Sequence, residues 1–243
     1  MQVQTRQGPA YGVARLTLAP SESVKVESGA MMAMSAGVAL SSKAEGGIMR
    51  SLKRAALGGE SFFVSTYTAP ASGGFVDVAA RLPGDVSTYV LEPGRALFVQ
   101  KGSWLANDAT VGIDAKWGGF RNMFGGEGGF IVRVDGQGTV VFACYGALET
   151  WTLEPGQSIT VDTGHMVAYE DSVSMGLRRA AGGGLVQSWK SGEGFVFEFT
   201  GPGRVWTQTR NPTELLGWIQ ATLGTSNSGT GIGGLAGGLF GRD

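Results

Sequence analysis

Neutral-pH catalysis by side chains draws mostly on histidine, cysteine and paired carboxylates, and this 243-residue chain holds one His and one Cys. His165 and Cys144 stand alone, and imidazole-activated catalysis needs its nucleophile within hydrogen-bond reach of the ring. No Gly-x-Ser-x-Gly elbow offers a serine in place of the thiol. A metal enzyme built on a double-stranded β-helix holds its ion through several histidines, and one cannot do that work. His165 is therefore read as a surface or loop residue. No catalytic residue, cofactor or metal is assigned, and the chain is read as not an enzyme.

Two other groups of residues could carry chemistry. Glu60, Glu127 and Glu193 each follow a glycine, in "GGESFFVSTY", "GGEGGFIVRV" and "SGEGFVFEFT". They could form a ring of carboxylates for a cation or a basic partner. The plainer reading is that each accepts backbone N–H groups at the start of a strand. The second group is "GGIMRSLKRAALGGE", where Ile48 and Leu52 fall on one helical face and Arg50, Lys53 and Arg54 on another. Such a helix can rest on anionic lipid, or pack its apolar side on the body and leave its charges in water. The glycine runs "GGEGG" and "AAGGGL" lack the Lys-Ser/Thr of a phosphate loop and are read as turns.

These residues sit in a frame written three times. "LAPSESVKVESGAMMA", "LEPGRALFVQKGSWLA" and "LEPGQSITVDTGHMVA" begin at Leu18, Leu91 and Leu153 and align without a gap. Gly29, Gly102 and Gly164 share one position, and His165 aligns with Ala30 and Ser103. Pro-Gly at 93–94 and 155–156 suits a type II turn, whereas Pro20-Ser21 is expected to take type I. Val24/Val26, Leu97/Val99 and Ile159/Val161 alternate with the period of a half-buried strand. Each unit, about 10–82, 83–147 and 148–210, is expected to supply four or five strands. The fold class predicted is all-β: three fused sandwich or double-stranded β-helix-like repeats about a pseudo-threefold axis, forming one body over 1–210.

After residue 210 the pattern changes. Asn211-Pro212-Thr213-Glu214 is a helix start, and Leu215, Trp218, Ile219 and Leu223 form an apolar stripe, so 211–224 is read as a helix. Residues 225–243 are read as a Gly-rich flexible tail carrying Leu235, Leu239 and Phe240. With 42 glycines, 16% charged residues and a formal net charge of −1, the chain lacks the basic surplus of a general nucleic-acid binder. No apolar run is long enough for a membrane helix, and the start has no signal-peptide core. A cytoplasmic protein, peripheral to a membrane at most, is the expectation.

"ESGAMMAMS", "GGIMRSLKRAALGGESFF", "LEPG" and the Gly-Leu tail together resemble the family called altered inheritance of mitochondria twenty-four. The resemblance implies a fold like that of the tryptophan RNA-binding attenuator protein, in three fused copies. It also implies a link to membrane organisation, through the mitochondrial members, and it carries no catalytic motif. The function read from all this is a non-enzymatic scaffold or binding protein, with a protein partner or self-association and peripheral membrane contact. The alternative is an RNA- or small-ligand-binding regulator, although nucleic acid is disfavoured by charge. Ile48, Arg50, Leu52, Lys53, Arg54, Leu235, Leu239 and Phe240 are the candidate contact residues.

Overall fold

The computed structural model describes residues 1–41, 64–114, 131–179 and 195–223. The chain divides into two units, Met1–Arg210 and Asn211–Asp243. The first is built of antiparallel strands. After β1 (Gln2–Arg6), the first repeated stretch supplies β2 (Val13–Leu18), β3 (Ser23–Glu27), β4 (Met31–Met34), β5 (Ala39–Ser41), β6 (Val64–Thr68) and β7 (Gly74–Ala79). The second supplies β8 (Val86–Leu91), β9 (Ala96–Gln100), β10 (Trp104–Asp108), β11 (Gly112–Asp114), β12 (Ile131–Asp135) and β13 (Gly138–Ala143). The third supplies β14 (Leu148–Leu153), β15 (Ser158–Asp162), β16 (Met166–Glu170), β17 (Ser174–Arg179), β18 (Phe195–Thr200) and β19 (Gly203–Gln208). Six strands per stretch exceed the four or five expected. The surplus lies in short members such as β5 and β11, three residues each, too short to show alternation in sequence.

The strands form sheets ordered β1-β2-β7-β4, β5-β6-β3-β10-β13-β8, β11-β12-β9-β16-β19-β14 and β15-β18-β17. Pairing registers recur along the chain. Leu18 lies opposite Gly74, Leu91 opposite Gly138 and Leu153 opposite Gly203. A register shift falls between Met31 and Ala33, between Trp104 and Ala106, and between Met166 and Ala168. One extra residue bends each strand there.

The turns explain why the same sentence folds the same way. Glu22, Arg95 and Gln157 donate their N–H to the carbonyls of Ala19, Glu92 and Glu154, closing four-residue turns. The third residue has positive φ in every case: Ser21 at 61°, Gly94 at 81° and Gly156 at 81°. Pro20-Ser21 therefore makes a type II turn, not the type I turn expected of it. The ladder that follows demands the same chain reversal, and Ser21 accepts a conformation that glycine takes more easily. After the turn, Val24 and Val26 are fully buried while Ser23 and Lys25 between them are half-buried.

Two joints link successive stretches. In the first, Val26, Lys25 and Val24 of β3 face Ala106, Asn107 and Asp108 of β10. In the second, Val99, Phe98 and Leu97 of β9 face Ala168, Tyr169 and Glu170 of β16. The corresponding strands left over are β15 and β4, and each ends its sheet without a further described neighbour.

In the second unit, helix α1 (Pro212–Leu223) is capped by Asn211, whose Oδ1 accepts the Thr213 N–H at 2.9 Å. Leu216, Trp218 and Leu223 are exposed. None of the described helices is long and apolar enough to cross a membrane.

Candidate functional site

Among the described residues a polar position recurs at the end of the bulged strand. It is held by Ser35, just past β4, and by Asp108 and Glu170, the last residues of β10 and β16. Each accepts the backbone N–H that follows the glycine opening the last strand of its stretch. Ser35 Oγ takes Phe75 N–H at 2.9 Å, Asp108 Oδ2 takes Thr139 N–H at 2.6 Å and Glu170 Oε2 takes Arg204 N–H at 2.9 Å. The glycines leave room for it, since a Cβ on Gly74 would lie 2.5 Å from Ser35 Oγ and one on Gly138 would lie 2.8 Å from Asp108. This satisfies a backbone donor at a crowded corner. The side chains differ in all three stretches and share only an acceptor oxygen, so residue-by-residue comparison passes over them.

Glu170 does more than its counterparts. Its Oε1 also accepts Arg204 Nε at 2.8 Å and the Tyr89 hydroxyl at 3.2 Å. The Arg204 guanidinium stands 5.2 Å from both the Tyr89 and Trp206 rings. This network seals the second joint and holds Tyr89 in place.

The third stretch has no such seal. Trp151 pairs with Val205 as Tyr89 pairs with Val140 and Leu16 with Val76. Leu16 is fully buried, whereas Trp151 is 43% exposed. The reason lies in what covers each place. Leu16, Val24 and Val26 are packed under Leu105, Ala106, Val141 and Ala143 from the next stretch. Leu97 and Val99 are packed under Val167, Ala168 and Trp206. Ile159 and Val161 only border a cluster that has no residue from the first stretch. An open groove of about 520 Å³ results, running along the free edge of β15.

Its polar groups are arranged. His165 Nδ1 lies 2.7 Å from the Gln208 carbonyl oxygen, which can only accept, so Nδ1 is the donor of this pair and carries a proton. Trp151 Nε1 donates to Thr207 Oγ1 at 3.0 Å. Gln208 donates to the Gly164 carbonyl and accepts from Tyr145 N–H. Glu149 and Thr160 complete a wall with an aromatic face, one carboxylate and the backbone edge of β15 that no described strand pairs. Such a wall suits an extended chain segment: backbone groups pair along the edge and apolar side chains enter beside Trp151.

His165 is in the 3-10 turn Thr163–His165, half-buried, the loop position expected of it. Cys144 is buried, burial pushes its thiol up to about 11, and its Sγ approaches the Gly146 carbonyl at 3.3 Å. No hydrogen bond joins the two among the described residues. Among the same residues no group of three or more His, Cys, Asp or Glu is placed to hold a metal ion. Ile48, Arg50, Leu52, Lys53 and Arg54, the carboxylates Glu60, Glu127 and Glu193, and Leu235, Leu239 and Phe240 all lie outside the described residues. The groove itself escaped the sequence reading, and its one sequence signal is Trp151 standing where the other stretches have Leu16 and Tyr89.

The sequence pattern of the family described as "Mitochondrial biogenesis AIM24" matches residues 3–210. The chain belongs to the AIM24 family. The match ends at the boundary of the first structural unit. This AIM24 chain is 26% identical over 227 residues to an uncharacterized protein of Streptococcus pyogenes serotype M6, covering 90% of this chain and 89% of that one. Its fold is similar to the crystal structure of another Streptococcus pyogenes protein, with a TM-score of 0.74 and 23% identity, over 91% of this chain and 99% of that one.

Proposed function

We propose that this AIM24 chain is a non-enzymatic binding or scaffold protein whose rigid β body receives a polypeptide partner at the open end of its third stretch. The body is three β-sandwich or double-stranded β-helix-like units about a pseudo-threefold axis, with the joint between the third unit and the first left unmade among the described residues. The recurring turns, bulges and registers support that arrangement, as does the crowding of backbone between successive stretches. A Cβ on Gly12, for example, would stand 2.8 Å from the Val86 backbone nitrogen.

One observation carries the functional reading: Trp151, Ile159 and Val161 are left accessible where the same positions in the earlier stretches are covered by protein. Apolar surface of this kind, beside a strand edge, gains stability by being covered. The absence of a basic surplus weighs against RNA as the occupant.

The test is capture from native extract with the full chain and with Val161→Lys. Wild type should retain polypeptides that the variant releases, at unchanged melting temperature and without co-purified RNA. Identical retention by both proteins would remove the groove from consideration, and RNA on wild type alone would favour the regulator.

Peripheral membrane contact belongs in this reading to residues 48–57 and the tail. Deleting 225–243, or replacing Arg50, Lys53 and Arg54 with Gln, should leave the melting temperature within about 1 °C, as expected of surface changes. Both changes should abolish salt-sensitive co-sedimentation with anionic vesicles. Unaltered sedimentation in both would detach the membrane from this protein.

A further inference from the structure

The groove of the third stretch has a counterpart at the other end of the same body. Strand β4 also ends its sheet, and its side chains are exposed: Met32 by 55% and Met34 by 39%. Met32 occupies the bulge position, where Leu105 and Val167 stand in the other stretches, both fully buried. Leu105 enters the core beneath β3, and Val167 enters the core beneath β9. Among the described residues each molecule therefore carries one unfilled socket, on β15, and one uncovered plug, on β4.

We infer that β4 of one molecule docks on β15 of a second copy of this chain, repeating between molecules the joint that the chain makes twice within itself. This rests on the groove being a polypeptide-binding site and names its occupant. The internal joints also set the register. Ala106 faces Val26 and Ala168 faces Val99, so Ala33 faces Val161 and Met34 faces Thr160. Met32 then enters beside Trp151, Ile159 and Val161, as Leu105 and Val167 enter their own cores. No described residue pairs with either edge within one molecule, which points to a second molecule as the source of the strand. The contact is heterologous: each added copy leaves one β4 and one β15 unused, so assembly proceeds head to tail until a ring closes or a filament grows.

The register makes a direct experiment available. In a Cys144→Ala background, one preparation carries Ala33→Cys and another Val161→Cys. Facing residues of an antiparallel pair lie roughly 4.5–5.5 Å apart between Cα atoms, within disulfide range. Mixed under mild oxidation, the two full-length proteins should give a covalent dimer that neither gives alone. Met32→Asp, introduced separately, should lower the mass of the wild-type assembly in sedimentation by a whole number of chains. Absence of dimer in the mixture, with both variants melting like the parent, would overturn the inference. So would a double variant that closes its disulfide within a single chain on dilution. If the cross-link fails while capture of other polypeptides still depends on Val161, the groove remains a binding site and only the second copy is excluded as its occupant.

Discussion

Val26 and Val161 hold the same step of the same strand pattern, yet one is fully buried and the other half-buried. Around Val26 the next stretch contributes Leu105, Ala106, Val141 and Ala143. Val161 borders a cluster drawn from its own stretch and from Phe98 and Ile131 of the second, with none from the first, and a groove lies beside it. The interior of each stretch is thus a property of a pair: a stretch is finished by its successor, as in repeat proteins generally. No described stretch covers the third in this way, and its open end is where binding is expected.

The widest gap between a sealed and an open position should appear in paired truncations. Leu105→Ala removes a fully buried side chain and should cost about 2–5 kcal/mol. Met32→Ala, at the equivalent bulge, should cost under about 0.5 kcal/mol at concentrations where the chain is monomeric. Urea midpoints measure both, and equal losses would erase the distinction between the two ends. A loss at Met32 that grows with protein concentration would instead sharpen it.

A smaller effect is expected from Glu27, at the end of β3 beside the sealed first joint. Burial pushes its carboxyl from 4.5 up to about 6, against the pull of Arg81 and Lys101. Because the raised value belongs to the folded state, the folded protein holds the extra proton between these limits. Stability should therefore fall as pH rises from 4.5 to about 6 and level off above. Glu27→Gln should flatten this segment of the profile and exceed wild type at pH 7 by about 1 kcal/mol, the side chain being partly solvated. A profile of unchanged shape would mean that Glu27 is not the group responsible. Smaller still is Ser21→Gly. It relieves a positive φ of 61° and should stabilise by about 0.5 kcal/mol in thermal unfolding. Gly94→Ser should lose a similar amount, and opposite signs would break the equivalence of the two turns.

The turns, the alternating strands after them and the capped helix were legible because each is local. Pro-Gly, a two-residue period and Asn-Pro-x-Glu act within a few residues of themselves. Ser21 shows the limit of that logic, since the ladder imposed positive φ on a residue whose own preference favours another turn. The polar corner was illegible for a different reason. Ser35, Asp108 and Glu170 share a role and not a type, while Glu60, Glu127 and Glu193, which share a type, lie outside the described residues. The groove could not be read at all without knowing which stretch covers which. Trp151 and Ile159 look like ordinary core residues until the partner surface is known.

The ladders β5·β6, β11·β12 and β17·β18 have one further consequence. Ser41 is held across from Thr66, Asp114 from Arg133 and Arg179 from Phe195, so the chain leaves and re-enters the body at adjacent points in all three stretches. A connection whose ends are clamped side by side pays for extra length only through the logarithm of that length, about 0.6 kcal/mol for each doubling if it is flexible. These three ports are where the polypeptide can gain or shed sequence without disturbing its sheets. A tag or sensor peptide spliced into one of them should leave the fold intact.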